Sequence, residues 1–390
     1  MPSWRVIADA GEHCRMECPV WANLGRANGT PASLRMTEAN TGKPIVCQSG
    51  MDPQGNVMLH WVIDSLGAGE RRQYLVETSG EPGPGTGVTV EDRDGKVEVR
   101  IGRHLFTAYH YSSQWVRPFL WPVIGPYGDG VTRSYPMDPD VPGEKHDHPH
   151  HKSVYTAYGD VNGVDDWSEM EGHGRIVHKG FRQLVSGPVL GVIQSDNEWV
   201  SSQGEKVMHE QRTVVFHNLL PNHEKMVDFT IHFRADAGPV KFGDTKEGGI
   251  LSVRVATTMD VASGLGGKIE NSYGGTNERE TWGKPAHWCD YSGPVKDRLV
   301  GIAIMDHPAN LRHPTGWHVR NYGLMTANCF ALHDYKADPS IDGSHTLAAG
   351  EDLVFRYRLL IHKGDASLGR VAARYHDYVN PPAVEVTPEA

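Results

Sequence analysis

The chain has 390 residues, enough for a large core and more than one structural unit, and 38 Lys and Arg against 48 Asp and Glu give a formal net charge of -10. Without any long basic run, nucleic acid is excluded as an expected partner. No stretch of about 18 apolar residues occurs, so no membrane span is expected.

The amino terminus, "MPSWRVIADAGEH", lacks a basic start followed by an apolar run, so no signal peptide is expected. Cys14, Cys18, Cys47, Cys289 and Cys329 are an odd number in a long chain, which fits reduced thiols better than a disulfide framework. Cys14 and Cys18 have no second pair at zinc-finger spacing to join them. The expectation is a cytoplasmic protein.

Period-2 patterns run through the chain, beginning with "GNVMLHWVI" at 55–63. "SGEPGPGTG" at 79–87 reads as a linker, dividing an N-terminal β unit (1–85) from a main unit (86–390). In "VTVEDRDGKVEVRIG", Asp94-Gly95 stands between two β-rich runs as a hairpin signal. "MVDFTIHFR" at 226–234 puts Val227, Phe229, Ile231 and Phe233 on one face and Asp228, Thr230, His232 and Arg234 on the other, the mark of a strand with one wet face. "RLVGIAIM" (298–305) and "LVFRYRLLI" (353–361) read as further strands. Only 365–379 reads as a helix: Leu368, Val371, Ala372 and Tyr375 keep helical spacing, Asp365 or Ser367 caps it, and Arg370, Arg374, His376 and Asp377 form its polar face. With 44 glycines and 25 prolines supplying turns, the fold class is all-β, a large antiparallel sandwich preceded by a smaller β unit and ending in one helix.

"KHDHPHHK" at 145–152 concentrates His146, His148, His150 and His151 in a proline-broken loop that feeds the strand "KSVYTAYGDV". Three roles fit these imidazoles: ligands of a divalent ion, donors and acceptors with acid-base capacity toward a polar substrate, or a hydrated loop. His146-x-His148 is followed by Lys152 where an iron-oxygenase pattern would place a carboxylate. In an extended segment His148 and His150 share one side and His151 the other, so one or two of the three are expected at a substrate and His146 is expected to be dispensable.

Three further segments carry chemistry. "KFGDTKEGGILSVRVA" places Asp244, Lys246 and Glu247 in the turn before a strand, where paired carboxylates and a lysine can hold a hydroxylated ligand. "NSYGGTNERETWGKPAHWCDYSGP" sets Trp282, Trp288 and Asp290 among glycines and polar groups, and aromatic faces of this kind stack on sugar rings. "MDHPANLRHPTGWHVRNYGLMTANCF" repeats the theme with His307, Trp317, His318 and Arg320.

Together "WPVIGPYGDGVTRSYP", "DHPHHKSVYTAYGDVNGVDDW", "FGDTKEGGILSVRVA", "WGKPAHWCDYSGP" and "DHPANLRHPTGWHVRNYGL" resemble, in order, the soluble PmoA-like family of unassigned function, often labelled "methane oxygenase". The resemblance covers most of 115–335. It implies a mutarotase-like β-sandwich and a saccharide or glycoside as substrate, and it carries no catalytic residue. The expected function is a glycoside hydrolase or lyase in which His150 or His151 moves protons, Asp244 and Glu247 supply carboxylate chemistry, and His307 joins them as a catalytic residue. His148, Lys246, Trp282, Trp288, Asp290, Trp317, His318 and Arg320 would bind substrate. The alternatives are a sugar epimerase or mutarotase, a metal-dependent oxygenase and a non-catalytic saccharide-binding protein. No cofactor is expected, with a divalent ion left open at the histidine run.

Overall fold

The computed structural model describes residues 3–26, 33–79, 87–219 and 224–389. Of the expected linker, residues 80–86 lie outside the described residues. Two eight-stranded antiparallel sheets face each other in the main unit. The first runs, in spatial order, 317–320, 324–327, 248–254, 154–158, 119–123, 104–110, 96–101 and 88–92. The second runs 175–185, 190–200, 206–217, 225–234, 352–363, 298–306, 288–295 and 268–271. Between them lies one continuous apolar core that includes Val227, Phe229, Ile231 and Phe233 from the second sheet and Val253, Trp317 and Val319 from the first. Burying alternate residues of each strand in this way is what a two-sheet packing requires. The Asp94-Gly95 turn joins 88–92 to 96–101 with both residues at positive φ, as a tight hairpin demands.

The N-terminal unit has its own core, centred on Trp61, Tyr74, Leu59 and Val76. Its larger sheet contains a strand from the far end of the chain: Ala383–Glu389 pairs with Ser3–Asp9, with Val6 opposite Val386. The last residues therefore leave the main unit to which 86–390 was assigned, because Val384 and Val386 find their apolar partners in the N-terminal core. A second tie is Gln48, whose Oε1 accepts from the backbone N–H groups of Val189 and Leu190, both at 3.0 Å. Gly187 makes this approach feasible, since a Cβ there would stand 2.2 Å from the Gln48 side chain.

The terminal helix is shorter than expected, Val371–Val379. Asp365 caps a preceding turn through Leu368 N–H at 3.0 Å, and Arg370 at φ 52 separates that turn from the helix. Val371 and Tyr375 pack with Met305, Leu360 and Met226 on the outer face of the second sheet. Leu368 is exposed, whereas Arg374 and Asp377, expected on the wet face, are buried. The strand Arg15–Arg26 lies against that face and supplies their counter-charges: Arg374 pairs with Glu17 at 2.6 Å and Asp377 with Arg15 at 2.9 Å. Among the described residues no helix is long and apolar enough to cross a membrane.

Candidate functional site

On the face of the first sheet turned away from the sandwich core, Phe119, Tyr155, Ala157, Trp167 and Leu324 form a separate apolar cluster. Above it opens a cleft of about 560 Å³ lined by His148, His150, His151, Lys246, Glu247, His318 and Arg320, together with Asp165, Trp167 and Tyr322. Strand alternation explains part of this set. Trp317 and Val319 on the strand Trp317–Arg320 enter the core, so His318 and Arg320 point the other way. Lys246 and Glu247 arrive from the turn before the strand Gly248–Arg254, which lies two places away in the same sheet.

The histidine run does not keep the alternation of an extended chain. His148 adopts φ 43, and the turn closes with His151 N–H on the His148 carbonyl at 3.0 Å. All three of His148, His150 and His151 therefore meet one cleft. His148 stacks on His151 (centroids 4.8 Å apart) and on Tyr322 (4.9 Å), while His150 meets Trp167 edge-on at 5.5 Å. His146 lies outside the cleft, stacked on Tyr135 at 4.5 Å.

Three buried arginines hold the turn from beneath. Arg117 donates to the carbonyls of His150 (3.0 Å), Asp166 (2.8 Å) and Trp167 (2.9 Å), and Arg133 to those of Asp147 (2.7 Å) and His148 (2.8 Å). Arg254 donates to Asp147 Oδ1 at 2.8 Å and to His151 Nδ1 at 3.1 Å. Lys152, also buried, pairs with Glu169. Burial alone would raise the Asp147 carboxyl, but Arg254, His148 and Arg133 hold it below its ordinary value.

This packing fixes the protons of two imidazoles. A guanidinium can only donate, so His151 Nδ1 must accept from Arg254 and its proton sits on Nε2. A carbonyl can only accept, so His318, whose Nδ1 lies 2.6 Å from the Lys246 carbonyl oxygen, carries its proton on Nδ1 and leaves Nε2 bare. Burial first, then neighbouring charges, pushes His150 down to about 3 and His151 well below the ordinary imidazole value. Burial likewise pushes His318 down to about 4, against the carbonyl bond that favours its charged form. Such rings are neutral at pH 7 and poor proton acceptors, and they can serve the cleft as hydrogen-bonding groups.

Several expected site residues lie elsewhere. Asp244 turns away from the cleft and accepts from the backbone N–H groups of His333 (3.0 Å) and Gly343 (2.5 Å), tying the short helix Leu332–Lys336 to the loop that follows it. His307 packs on Tyr378 of the terminal helix, at the second sheet. Trp317 is core, its Nε1 donating to the Ala286 carbonyl at 2.9 Å. Trp288 packs against the same outer apolar cluster as Tyr375 and Tyr378, and Trp282 meets Tyr335 edge-on at 5.3 Å. Asp290 is fully buried and paired with His362 at 2.7 Å. These aromatic rings fill the space between elements, the commoner fate of large apolar side chains.

The residues that sequence reasoning missed are Trp167, Tyr322, Asp165, Asp147 and the arginines beneath. Arg254 was detectable: one charge in the otherwise apolar run "ILSVRVA" must find a partner when the strand is buried. Asp165 is already engaged, accepting from the backbone N–H of Trp167 (2.8 Å) and of Ser168 (3.0 Å). Glu247 is the half-exposed carboxylate of the cleft, with Lys246 Nζ 3.4 Å away.

Fold and site thus define an all-β protein of two linked units, with an imidazole-lined cleft on the outer face of one sheet. Residues 96–376 match a family of unknown function, DUF6807, and the chain belongs to that family. Every residue named as lining the cleft falls inside the matched stretch. No curated protein matches the chain. Among solved structures it is similar to an alpha-mannosidase from Enterococcus faecalis V583, at 10% identity and a TM-score of 0.44, covering 100% of this chain and 46% of that one. The chain thus spans about half the length of that protein.

Proposed function

We propose that this protein is a carbohydrate-active enzyme that cleaves an oxidised glycoside by elimination. The observation that carries this reading is the convergence, in one cleft, of a locked N–H donor (His151), a locked acceptor (His318) and the Lys246–Glu247 pair. Glu247 would remove the proton beside the sugar's carbonyl. The His151 N–H would hold the oxygen on which negative charge develops, a task suited to an imidazole that stays neutral. The bond to the aglycone then breaks, and Lys246 gives that oxygen a proton and recovers one from Glu247. His318 Nε2 would accept from a sugar hydroxyl, and Arg320 flanks the same wall.

Hydrolysis by paired carboxylates is supported less well, because it needs two free carboxyl groups flanking the bond. Asp165 is committed to backbone N–H groups, which leaves Glu247. The saccharide class rests on the family resemblance and on the polar, aromatic lining of the cleft.

The test is incubation with glycosides and their keto derivatives in deuterated water, with products followed by mass spectrometry. An unsaturated sugar plus free aglycone is the expected result, lost in Glu247→Gln. Cleavage that instead adds solvent oxygen to a saturated sugar would assign hydrolysis, and deuterium uptake without cleavage would assign epimerisation. No reaction across the panel, with retained sugar binding, would make it a saccharide-binding protein.

A further inference from the structure

Far from the cleft, at the outer face of the second sheet, three donor atoms from three separate segments come together. His313 Nε2 and His287 Nδ1 are 3.1 Å apart, and Tyr375 Oη of the terminal helix is 3.4 Å from the His287 nitrogen and 3.5 Å from the His313 nitrogen. A tetrahedral ion with bonds of about 2.05 Å has ligand atoms about 3.3 Å from one another. An ion placed about 2.0–2.1 Å from all three atoms would stand roughly 0.7 Å out of their plane, as in a tetrahedron with one corner open.

The distal nitrogens are arranged as metal-bound imidazoles require. His313 Nδ1 lies 2.7 Å from Oδ2 of Asp306, a fully buried carboxylate held also by Asn310 (2.7 Å) and Thr315 N–H (2.9 Å). His287 Nε2 lies 3.1 Å from Tyr273 Oη. A ligating histidine usually gives its other N–H to a carboxylate, carbonyl or water, which sets the tautomer and raises ligand basicity. Among the described residues no three His, Cys, Asp or Glu side chains are grouped as a metal site. The trio that converges here includes a phenol.

We propose that His287, His313 and Tyr375 form a binding site for a divalent transition ion of the zinc class, with Asp306 orienting His313. Two imidazoles and a phenolate suit zinc or copper better than magnesium or calcium, which prefer all-oxygen cages. Binding displaces the proton of the Tyr375 hydroxyl, so it strengthens as pH rises. Because Tyr375 belongs to the terminal helix, the ion also fastens that helix to the loops carrying His287 and His313. The site is separate from the proposed elimination, and neither depends on the other.

The full-length protein, stripped with a chelator and dialysed, should bind one equivalent of Zn²⁺ in calorimetry and gain thermal stability. Its Co²⁺ form should show the intense visible absorption of a tetrahedral ion. Tyr375→Phe keeps the ring in place and should weaken Zn²⁺ at least tenfold, as should His287→Gln, while His150→Ala should leave binding unchanged. Absence of stoichiometric Zn²⁺ binding would reduce the trio to a hydrogen-bonded network. Unaltered affinity in Tyr375→Phe, or loss of the ion in His150→Ala, would equally overturn the assignment.

Discussion

His318 Nδ1 stands 2.6 Å from the carbonyl oxygen of Lys246, and this contact decides which nitrogen of the ring meets a ligand. With Nδ1 protonated by necessity, Nε2 is an acceptor at every pH where the ring is neutral. Nitrogen-15 NMR should show Nε2 unprotonated at pH 7. His318→Asn preserves a donor to the Lys246 carbonyl but removes the acceptor, so turnover should fall at least a hundredfold with little change in melting temperature. An active Asn variant would show that His318 only supports the turn.

Acid should unfold this protein early, and histidines contribute to it. Burial holds His150 at about 3 and His318 at about 4, below the ordinary value of 6.5 that they regain when unfolded. Between these limits the unfolded chain binds more protons, so stability rises with pH across the window and is lost as pH falls from about 6.5 toward 4. Each such histidine adds a slope of up to about 1.4 kcal/mol per pH unit. Urea unfolding at pH 7.5 and 5.0 measures the difference, and His318→Gln should flatten it. An unchanged slope in that variant would show that other groups dominate.

The histidine run looks like a surface loop in sequence, yet His151 is 1% exposed and bonded to Arg254. His151→Ala should therefore cost about 2 kcal/mol, from the cavity and the unpaired guanidinium nitrogen, as well as function. His146→Ala should cost almost nothing in either. Chemical denaturation of the two variants side by side settles the comparison, and equal stabilities would count against the buried turn.

Arg117 should be more important to the turn than any histidine within it. Its fully buried guanidinium meets the carbonyls of His150, Asp166 and Trp167 and the Glu169 carboxylate at 3.0 Å. Arg117→Met would leave the Asp166 and Trp167 carbonyls without their buried donor, while Lys152 still meets the His150 carbonyl and Glu169, with an expected loss of about 3 kcal/mol. Hydrogen exchange across residues 145–170 should rise in that variant. Unchanged exchange would mean that Arg133 and Arg254 suffice.

At the junction of the two units, Asp377→Ala should remove about 3 kcal/mol by leaving Arg15 a buried cation without its carboxylate. Calorimetry should then show the transition of the N-terminal unit moving downward, and a single unshifted transition would argue that the Arg374–Glu17 pair holds the junction alone.

Much of the architecture is legible residue by residue. Val227, Phe229, Ile231 and Phe233 announce a strand because alternate side chains of an extended chain face opposite ways, and they are buried as that rule requires. The Asp94-Gly95 turn is equally local, since its backbone conformation is one that few other residues adopt. The same rule places Trp317 and His318 on opposite faces without saying which face is core. Here the packing of a second sheet chose Trp317 for the interior, and with it removed Trp317 from the expected sugar-binding wall. Asp244 and Glu247, three residues apart in one turn, could not be told apart in sequence. Backbone N–H groups almost a hundred residues away at His333 and Gly343 claim the first, and the second faces the cleft.

The sequence by itself therefore determined the strands, the turns and the stock of imidazoles, because these follow from near-neighbour sterics and polarity. Tertiary structure alone decided which imidazoles are locked neutral, which carboxylate is free and which tryptophans are core. Those outcomes depend on Arg117, Arg133 and Arg254 meeting the histidine turn across separations of 14 to 107 residues, as in Arg133 with Asp147 and Arg254 with Asp147. Contacts of that range are set by sheet packing, and no local pattern of residue types encodes them.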